Sequence, residues 1–393
     1  MKILLISYWF PPADAIGAKR WGEFYALSKE DTDIDITVLT ANWHTRYRED
    51  KKIHYIGNEI IFSSFKPQNK KISYLDILRH PSLTIRSIDP SIVSSWYKES
   101  KMWIDDNQKE AYDVVVSSFG PIASVLLGNY AKKRYRIPHI VDLRDLISIQ
   151  RQKKRLPILN FLDNQLDKFI MKDVDRILVV SPTGNKKASR FYHKEAITVY
   201  NGLQNKIEKE EVNLSISNSQ SINILYMGTL GAYRNPSKIL EVFNAYVQEH
   251  QNCVLSIKFA SRDNPFDFLN QESIGSINVT WLGYLSQEKL KIEKKSCDIY
   301  LVLEDSRKEG NENLTGKIFE YLHGTKPIVV SCHKDSDIVT LLQETNAGRL
   351  IGTVDDFEKF LKEKRSLNVT RCNQYTRENQ YKIFKNTLGA YNV

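Results

Sequence analysis

The sequence predicts an α/β chain built as two doubly wound, Rossmann-like parallel-sheet domains in tandem. Three observations carry that prediction. Strand-sized apolar runs alternate with helical patterns through the first half, the alternation restarts after one polar stretch, and 393 residues are about the length of two domains. Strands covered by helices on both faces read as continuous apolar runs, and these do.

In the first half the strand candidates are 3–8, 36–40, 60–62, 114–117, 140–142 and 177–181. The segment 66–110 fits the scheme poorly, since it carries three prolines and the aromatics Tyr74, Trp96, Tyr97 and Trp103 without clean periodicity. Those aromatics either pack into the domain edge or contact an acceptor or membrane. Residues 204–221 are rich in Glu, Asn and Ser and are expected to link a domain at 1–203 to one at 222–370. The second set of strand candidates is 222–227, 255–260, 279–282, 299–303, 328–330 and 349–351, and a helical pattern over 371–389 follows.

The net charge of +9 is unevenly placed: residues 1–200 hold 32 Lys+Arg against 23 Asp+Glu, and residues 201–393 hold 24 of each. The excess gathers at 66–71, 132–136 and 151–155. Each cluster alone reads as solvated surface; together they suit an anionic membrane surface or a lipid-diphosphate acceptor. The basic residues form no stripe interleaved with aromatics, so nucleic acid is not expected. No apolar run reaches the ~18 residues of a membrane span, and Met1 leads directly into a strand pattern. A cytoplasmic protein, with peripheral contact at the inner face of the plasma membrane, is the expectation. Four cysteines without CxxC spacing indicate neither disulfides nor zinc.

The richest segment is 310–331, GNENLTGKIFEYLHGTKPIVVS. Thr315 and Gly316 can open a helix, Gly324 can close it, and Pro327 leads into the strand Ile328, Val329, Val330. At 100° per residue Ile318, Phe319 and Leu322 share one face, with Gly316, Lys317 and Glu320 opposite. Helix-start amides and a lysine suit a phosphate, and a carboxylate one turn in can accept from ribose hydroxyls. The same residues also admit an ordinary Lys317–Glu320 pair on a solvated face. After the first strand, the loop 7–20 should face a ligand crevice, where Gly17 can bring amides close to phosphate or simply make a tight turn. Asp142, Arg144 and Asp145 end another strand, and they too can pair among themselves.

In order and spacing these segments resemble family 4 glycosyltransferases, retaining enzymes of the two-domain GT-B fold whose domains face a cleft. The resemblance spans nearly the whole chain, from Ile3 to about Leu388. It rests on the Glu312 to Glu320 spacing, the Pro-Pro and Gly17 loop with Arg20, the Asp142 to Asp145 segment, the Ser181 and Asn201-Gly202 segments, and the strand-loop 226–236. It implies that Glu320 holds the nucleotide ribose and Glu312 lies near the transferred sugar. Leu314, Thr315, Gly316 and Lys317 complete that donor segment, in a form closer to the polysaccharide-assembly branch. Gly228 and Thr229 stand where the family has Gly-Arg, so Arg234 becomes the principal phosphate cation, with Arg262 able to share the load. Gly17 is then a diphosphate or acceptor contact and Arg20 a weaker one. Arg144 stands where many members have His, next to Asp145, and Ser117, Ser118 and Gly120 are placed along the acceptor pocket.

The implied donor is a UDP- or GDP-sugar, the acceptor a glycan or lipid-linked glycan of bacterial surface-polysaccharide synthesis. Residues 371–393 are expected to return to the first domain. No bound cofactor is expected, and cations can replace a metal at the diphosphate. Two other readings keep the fold: a sugar-nucleotide epimerase, which needs acid and base groups at the sugar, and a non-catalytic partner subunit.

Overall fold

In the computed structural model, which describes residues 1–13, 15–43, 50–60, 90–146, 157–208, 211–216, 220–269 and 275–391, the chain forms two compact units. The first comprises Met1–Asn201 with Arg377–Val393, and the second Gly202–Thr376.

The first unit is a seven-stranded sheet of β1 (Lys2–Ser7), β2 (Asp35–Trp43), β3 (Ile53–Ile60), β4 (Val114–Ser118), β5 (His139–Leu143), β6 (Arg176–Val179) and β7 (Ala196–Thr198). Its order is β3-β2-β1-β4-β5-β6-β7, every pair parallel. Helices α1 (Ile16–Glu30), α2 (Pro90–Asp106), α3 (Ala123–Tyr135), α4 (Pro157–Met171) and α5 (Pro182–Tyr192) supply the crossovers. Alternate residues of β1 feed two cores. Leu4 and Ile6 pack with Trp43, Trp96 and Leu127, while Ile3 and Leu5 pack with Trp21, Phe24 and Phe384.

The second unit holds β8 (Ser221–Met227), β9 (Val254–Ala260), β10 (Asn278–Trp281), β11 (Ile299–Leu303), β12 (Ile328–Ser331) and β13 (Gly348–Leu350), ordered β10-β9-β8-β11-β12-β13 and all parallel. Its helices are α6 (Ser237–Glu249), α7 (Gln287–Ser296), α8 (Gly316–His323), α9 (Asp337–Thr345), α10 (Val354–Lys362) and α11 (Val369–Gln374). In both sheets the strand order reverses once, between β1 and β4 and between β8 and β11. Such reversals leave a crevice beyond the strands' carboxyl ends, because the flanking crossovers diverge there.

Several expectations shift. Strand β3 lies at 53–60, not 60–62, and residues 61 and 62 lie outside the described ones. The expected helix over 371–389 is two helices, α11 and α12 (Arg377–Leu388). The break falls where the Leu203 amide takes the Tyr375 carbonyl at 2.8 Å, and the chain passes from one unit to the other just beyond it. Phe384 of α12 then packs edge-on to Trp21 (5.4 Å) and stacks on Phe24 (5.8 Å). The expected linker 204–221 is, in its described residues, strapped onto the second unit: Leu214 donates to Arg365 O, Leu367 to Val212 O, and Ile207 to the Asn373 amide oxygen. Apolar Ile207, Val212 and Leu214, all buried, anchor that otherwise polar stretch.

Of the basic clusters, 66–71 and 151–155 lie outside the described residues. The third is occupied internally, since Lys132 pairs with Asp175, Lys133 with Asp173 and Arg134 with Asp105. Tyr74 is also outside; Trp96 is buried edge-on to Tyr8 and Trp103 lies against His54, so these aromatics pack into the unit. The four cysteines are free thiols, three of them buried.

One charge pair is fully inside the first unit. Arg20 of α1 is ion-paired with Asp142 of β5, both out of solvent, and donates to Val199 O at 2.9 Å. Trp21 Nε1 (2.7 Å) and Ser118 Oγ (3.2 Å) also donate to Asp142. Removing one member of such a pair strands the other charge in a dry interior. Arg20→Met should therefore destabilise the first unit by about 3 kcal/mol, measured as a lower urea midpoint; an unchanged midpoint would show the pair to be dispensable.

Candidate functional site

A cluster of charged side chains in the second unit lies at the reversal between β8 and β11. Strand β11 is apolar throughout and ends in two carboxylates, Glu304 and Asp305, both buried. A buried carboxylate needs a partner, and each has an arginine. Glu304 receives a fork from Arg234, with Nε and Nη2 each 3.0 Å from one of its oxygens. Asp305 is held by Arg307 (Nη2 2.6 Å, Nε 3.0 Å), whose guanidinium also lies 3.8 Å from the Tyr233 ring centroid.

Arg234 reaches this position from the tight turn after β8, where its amide donates to Gly231 O at 3.0 Å. Its Nη1 donates to Thr229 Oγ1 at 3.1 Å. The turn is tied down at two further points. Tyr321 of α8 accepts from the Met227 amide at 2.9 Å, and Asp263 accepts from the Leu230 amide at 2.8 Å. Gly228 leaves room for a second cation: a Cβ there would lie 2.5 Å from Lys317 Nζ and 2.9 Å from the Tyr226 hydroxyl.

Lys317, on the first turn of α8, thus joins Arg234 and Glu304. Burial, and then the Arg234 charge, hold its ammonium below the ordinary lysine range, with Glu304 and Glu320 opposing. Burial pushes the Glu304 carboxyl up, against the pull of Arg234. Arg234 and Lys317 thus stand side by side over Glu304, and two neighbouring cations attract an anion.

Other expected residues fall as follows. Thr315 caps α8 without a side-chain bond, Gly316 begins it, and Leu314 is buried behind them. Glu312 is buried in the loop before the helix. Glu320 is half exposed and pairs with Lys294 of α7, which replaces the alternative Lys317–Glu320 pair. The Arg262 guanidinium is exposed and lies 4.9 Å from the Tyr284 ring centroid.

In the first unit the reversal between β1 and β4 is furnished differently. The Arg144 guanidinium lies over Gly17, where a Cβ would be 1.8 Å from its Nη1, and it donates to Phe119 O at 2.9 Å. Asp145 is exposed beside it. Asp142 is ion-paired with Arg20, and together with Asp145 it also acts on the charge of the buried Arg144 guanidinium, so the three expected residues lie together. Its pairing with Asp142 removes Arg20 from the phosphate contacts expected of it. Gly17 is buried, with the Arg144 side chain filling the space a Cβ would take.

Glu304, Asp263 and Arg307 were not foreseen as parts of the site. The only signal was two adjacent carboxylates closing an apolar strand, in IYLVLED.

No protein-family model matches the chain, and no curated protein matches it. Among solved structures it is similar to the N-terminal domain of Candida albicans trehalose-6-phosphate phosphatase (12% identity, 100% of this chain and 97% of that one, TM-score 0.60). It is similar also to α,α-trehalose 6-phosphate synthase of Burkholderia multivorans (10%, 99% and 96%, 0.57) and to Anabaena HepE in complex with UDP and glucose (10%, 99% and 100%, 0.54). At these identities the likeness shows the fold, which is α/β with two Rossmann-like parallel sheets in one chain, the GT-B class.

Because burial disfavours the charged form of Lys317, Lys317→Met should leave the protein more stable by about 0.5–2 kcal/mol at neutral pH. The pH dependence has a definite sign. The folded pKa lies below the unfolded one, so stability of the parent rises with pH between the two, in the alkaline range, and the variant lacks that rise. Urea titrations of both proteins at neutral and alkaline pH check this; a less stable variant would contradict it.

Proposed function

We propose that the chain is a glycosyltransferase that takes a sugar from a nucleotide diphosphate sugar, with the second unit as the donor side and the first as the acceptor side. The observation that carries the reading is the Arg234 fork set by buried Glu304, with Lys317 beside it over Gly228. A diphosphate is the ligand whose charge and size suit two fixed cations at the mouth of a doubly wound sheet. UDP bound to a protein of the same fold is in keeping with that ligand class.

In this reading Arg234, Lys317 and the first-turn amides of α8 meet the donor diphosphate. As the bond from the anomeric carbon to the diphosphate breaks, negative charge grows on the leaving phosphate, and groups already fixed in place stabilise it without reorganising. Arg234 cannot swing away, because Glu304 holds two of its nitrogens. The acceptor hydroxyl then attacks from the face the phosphate leaves, which would retain the anomeric configuration, and the leaving phosphate takes the hydroxyl proton. Glu320 would exchange its Lys294 contact for the ribose hydroxyls, Glu312 would sit near the sugar, and Gly228, Thr229, Leu314, Thr315 and Gly316 would shape the donor pocket. Arg262 is a further phosphate candidate. Arg144, Asp145 and Gly17 are proposed for the acceptor side. A glycan or lipid-linked glycan of bacterial surface polysaccharide is the proposed acceptor, approached from the cytoplasmic face of the membrane.

Screening UDP, GDP and their sugars by thermal shift identifies the donor, since a ligand at ~100 times its dissociation constant adds about 2.7 kcal/mol of stability. With the donor found, Glu320→Ala should weaken nucleotide binding markedly. Arg234→Ala should lower kcat about 100- to 1000-fold, the loss typical of one fixed transition-state donor, while nucleoside binding changes much less. Unchanged kinetics in both variants would remove the site assignment. Incubation with donor alone separates transfer from epimerisation, because only an epimerase converts the nucleotide sugar without an acceptor.

A further inference from the structure

Helix α4 is turned inside out relative to what folding requires. Its solvent side carries Ile158, Phe161, Leu162, Leu166 and Phe169, exposed to between 38 and 74%. Its protein side carries Asp163 and Asp167, only 6% and 3% exposed, along with buried Ile170 and Met171. On a 100° wheel the five apolar residues fall within a sector about 140° wide, shared only with exposed Gln165 among the helix's described residues, and the two aspartates lie opposite it. An ordinary surface helix has the reverse arrangement, and isolated exposed apolar residues need no explanation, but a contiguous stripe along a 15-residue helix does.

The surroundings of the stripe are basic. The described residues 157–194 hold 7 Lys+Arg against 4 Asp+Glu. Exposed Lys168 and Lys172 border the stripe on its own helix face. Lys168 Nζ lies 4.8 Å from the Phe191 ring centroid of α5, and Lys194 donates to the Lys172 carbonyl at 3.0 Å, which brings the end of α5 with exposed Arg190 alongside. Among the described residues, no ion pair involves Lys168, Lys172, Arg190 or Lys194: Asp173 is paired with Lys133, Asp175 with Lys132 and Glu195 with Arg176, while Asp163 and Asp167 are buried.

We propose that α4 is a membrane-docking helix that lays its apolar stripe into the surface of an anionic phospholipid bilayer, with Lys168, Lys172, Arg190 and Lys194 meeting the lipid head groups. An apolar face bordered by lysine and arginine is the pattern of a helix lying in the membrane interface. Lysines beside the stripe can keep their ammonium groups at the head-group level while their stems lie along it. A second copy of the chain fits less well, since a symmetric contact through this face would bring two basic borders together. The inference does not rest on the transferase reading; it concerns a surface that holds none of the donor-site residues.

Cosedimentation of the purified chain with phosphatidylcholine vesicles, with and without phosphatidylglycerol, tests it. Binding should require phosphatidylglycerol and weaken as salt is added. Replacing exposed side chains should not perturb the fold, so the double variant Phe161→Ser, Phe169→Ser should keep the parent melting temperature and bind these vesicles at least about tenfold more weakly. Lys168→Glu with Lys172→Glu should lose the phosphatidylglycerol dependence. Parent-like vesicle binding by the folded double variant would overturn the proposal. So would sedimentation showing a dimer that the double variant abolishes, with no vesicle binding by the parent, because the stripe would then belong to a second copy.

Discussion

The second unit's crevice depends on one interaction, the fork from Arg234 to buried Glu304. A carboxylate at the end of a fully apolar strand is costly unless paired, and the pairing fixes the arginine as firmly as the strand fixes the acid. Asp305, next in the chain, is neutralised separately by Arg307. Arg234 and Lys317 therefore share Glu304 as the buried carboxylate between them. The site is organised before any ligand arrives, which is what gives fixed charges their catalytic value.

The two units share a strand order and furnish it to opposite effect. In the first, one arginine is absorbed by the interior: Arg20 sits on Asp142, with Trp21 and Ser118 completing the shell. In the second, the acid is buried and the cations stand at the mouth. The same architecture thus provides a braced floor in one case and a charged recess in the other, and the difference lies in whether the carboxylate's partner comes from a helix interior or from a turn.

Most of the strand pattern was legible because fully covered strands such as VVVSS and IYLVL announce themselves as apolar runs. Strand β3 was displaced because Ile53 to Ile60 is mostly half-exposed and reads as neither alternating nor continuous. Three-residue β7 gave no signal at all. Within the site, Arg234 was singled out through the resemblance and Lys317 as a cation at a helix start, and the structure brings both to Glu304. Glu304 itself was not legible, because an acid after a strand reads as the start of a loop until its partner 70 residues away is known. Arg20 misled for the same reason, its counter-ion lying 122 residues on. The outward stripe of α4 was hidden too, since helical periodicity reveals that a face is apolar without revealing which way it points.

The discontinuity of the first unit has a consequence for biosynthesis. Tyr381, Phe384 and Leu388 of α12 are part of its core, yet they are translated after all of residues 202–376. A nascent chain can complete the second unit while the first still lacks one wall, leaving Trp21 and Phe24 uncovered. The usual order of cotranslational folding, amino-terminal domain first, is here reversed for final closure. An early stop codon that removed only α12 would leave the crevice cations untouched and cripple the lobe at the other end of the message.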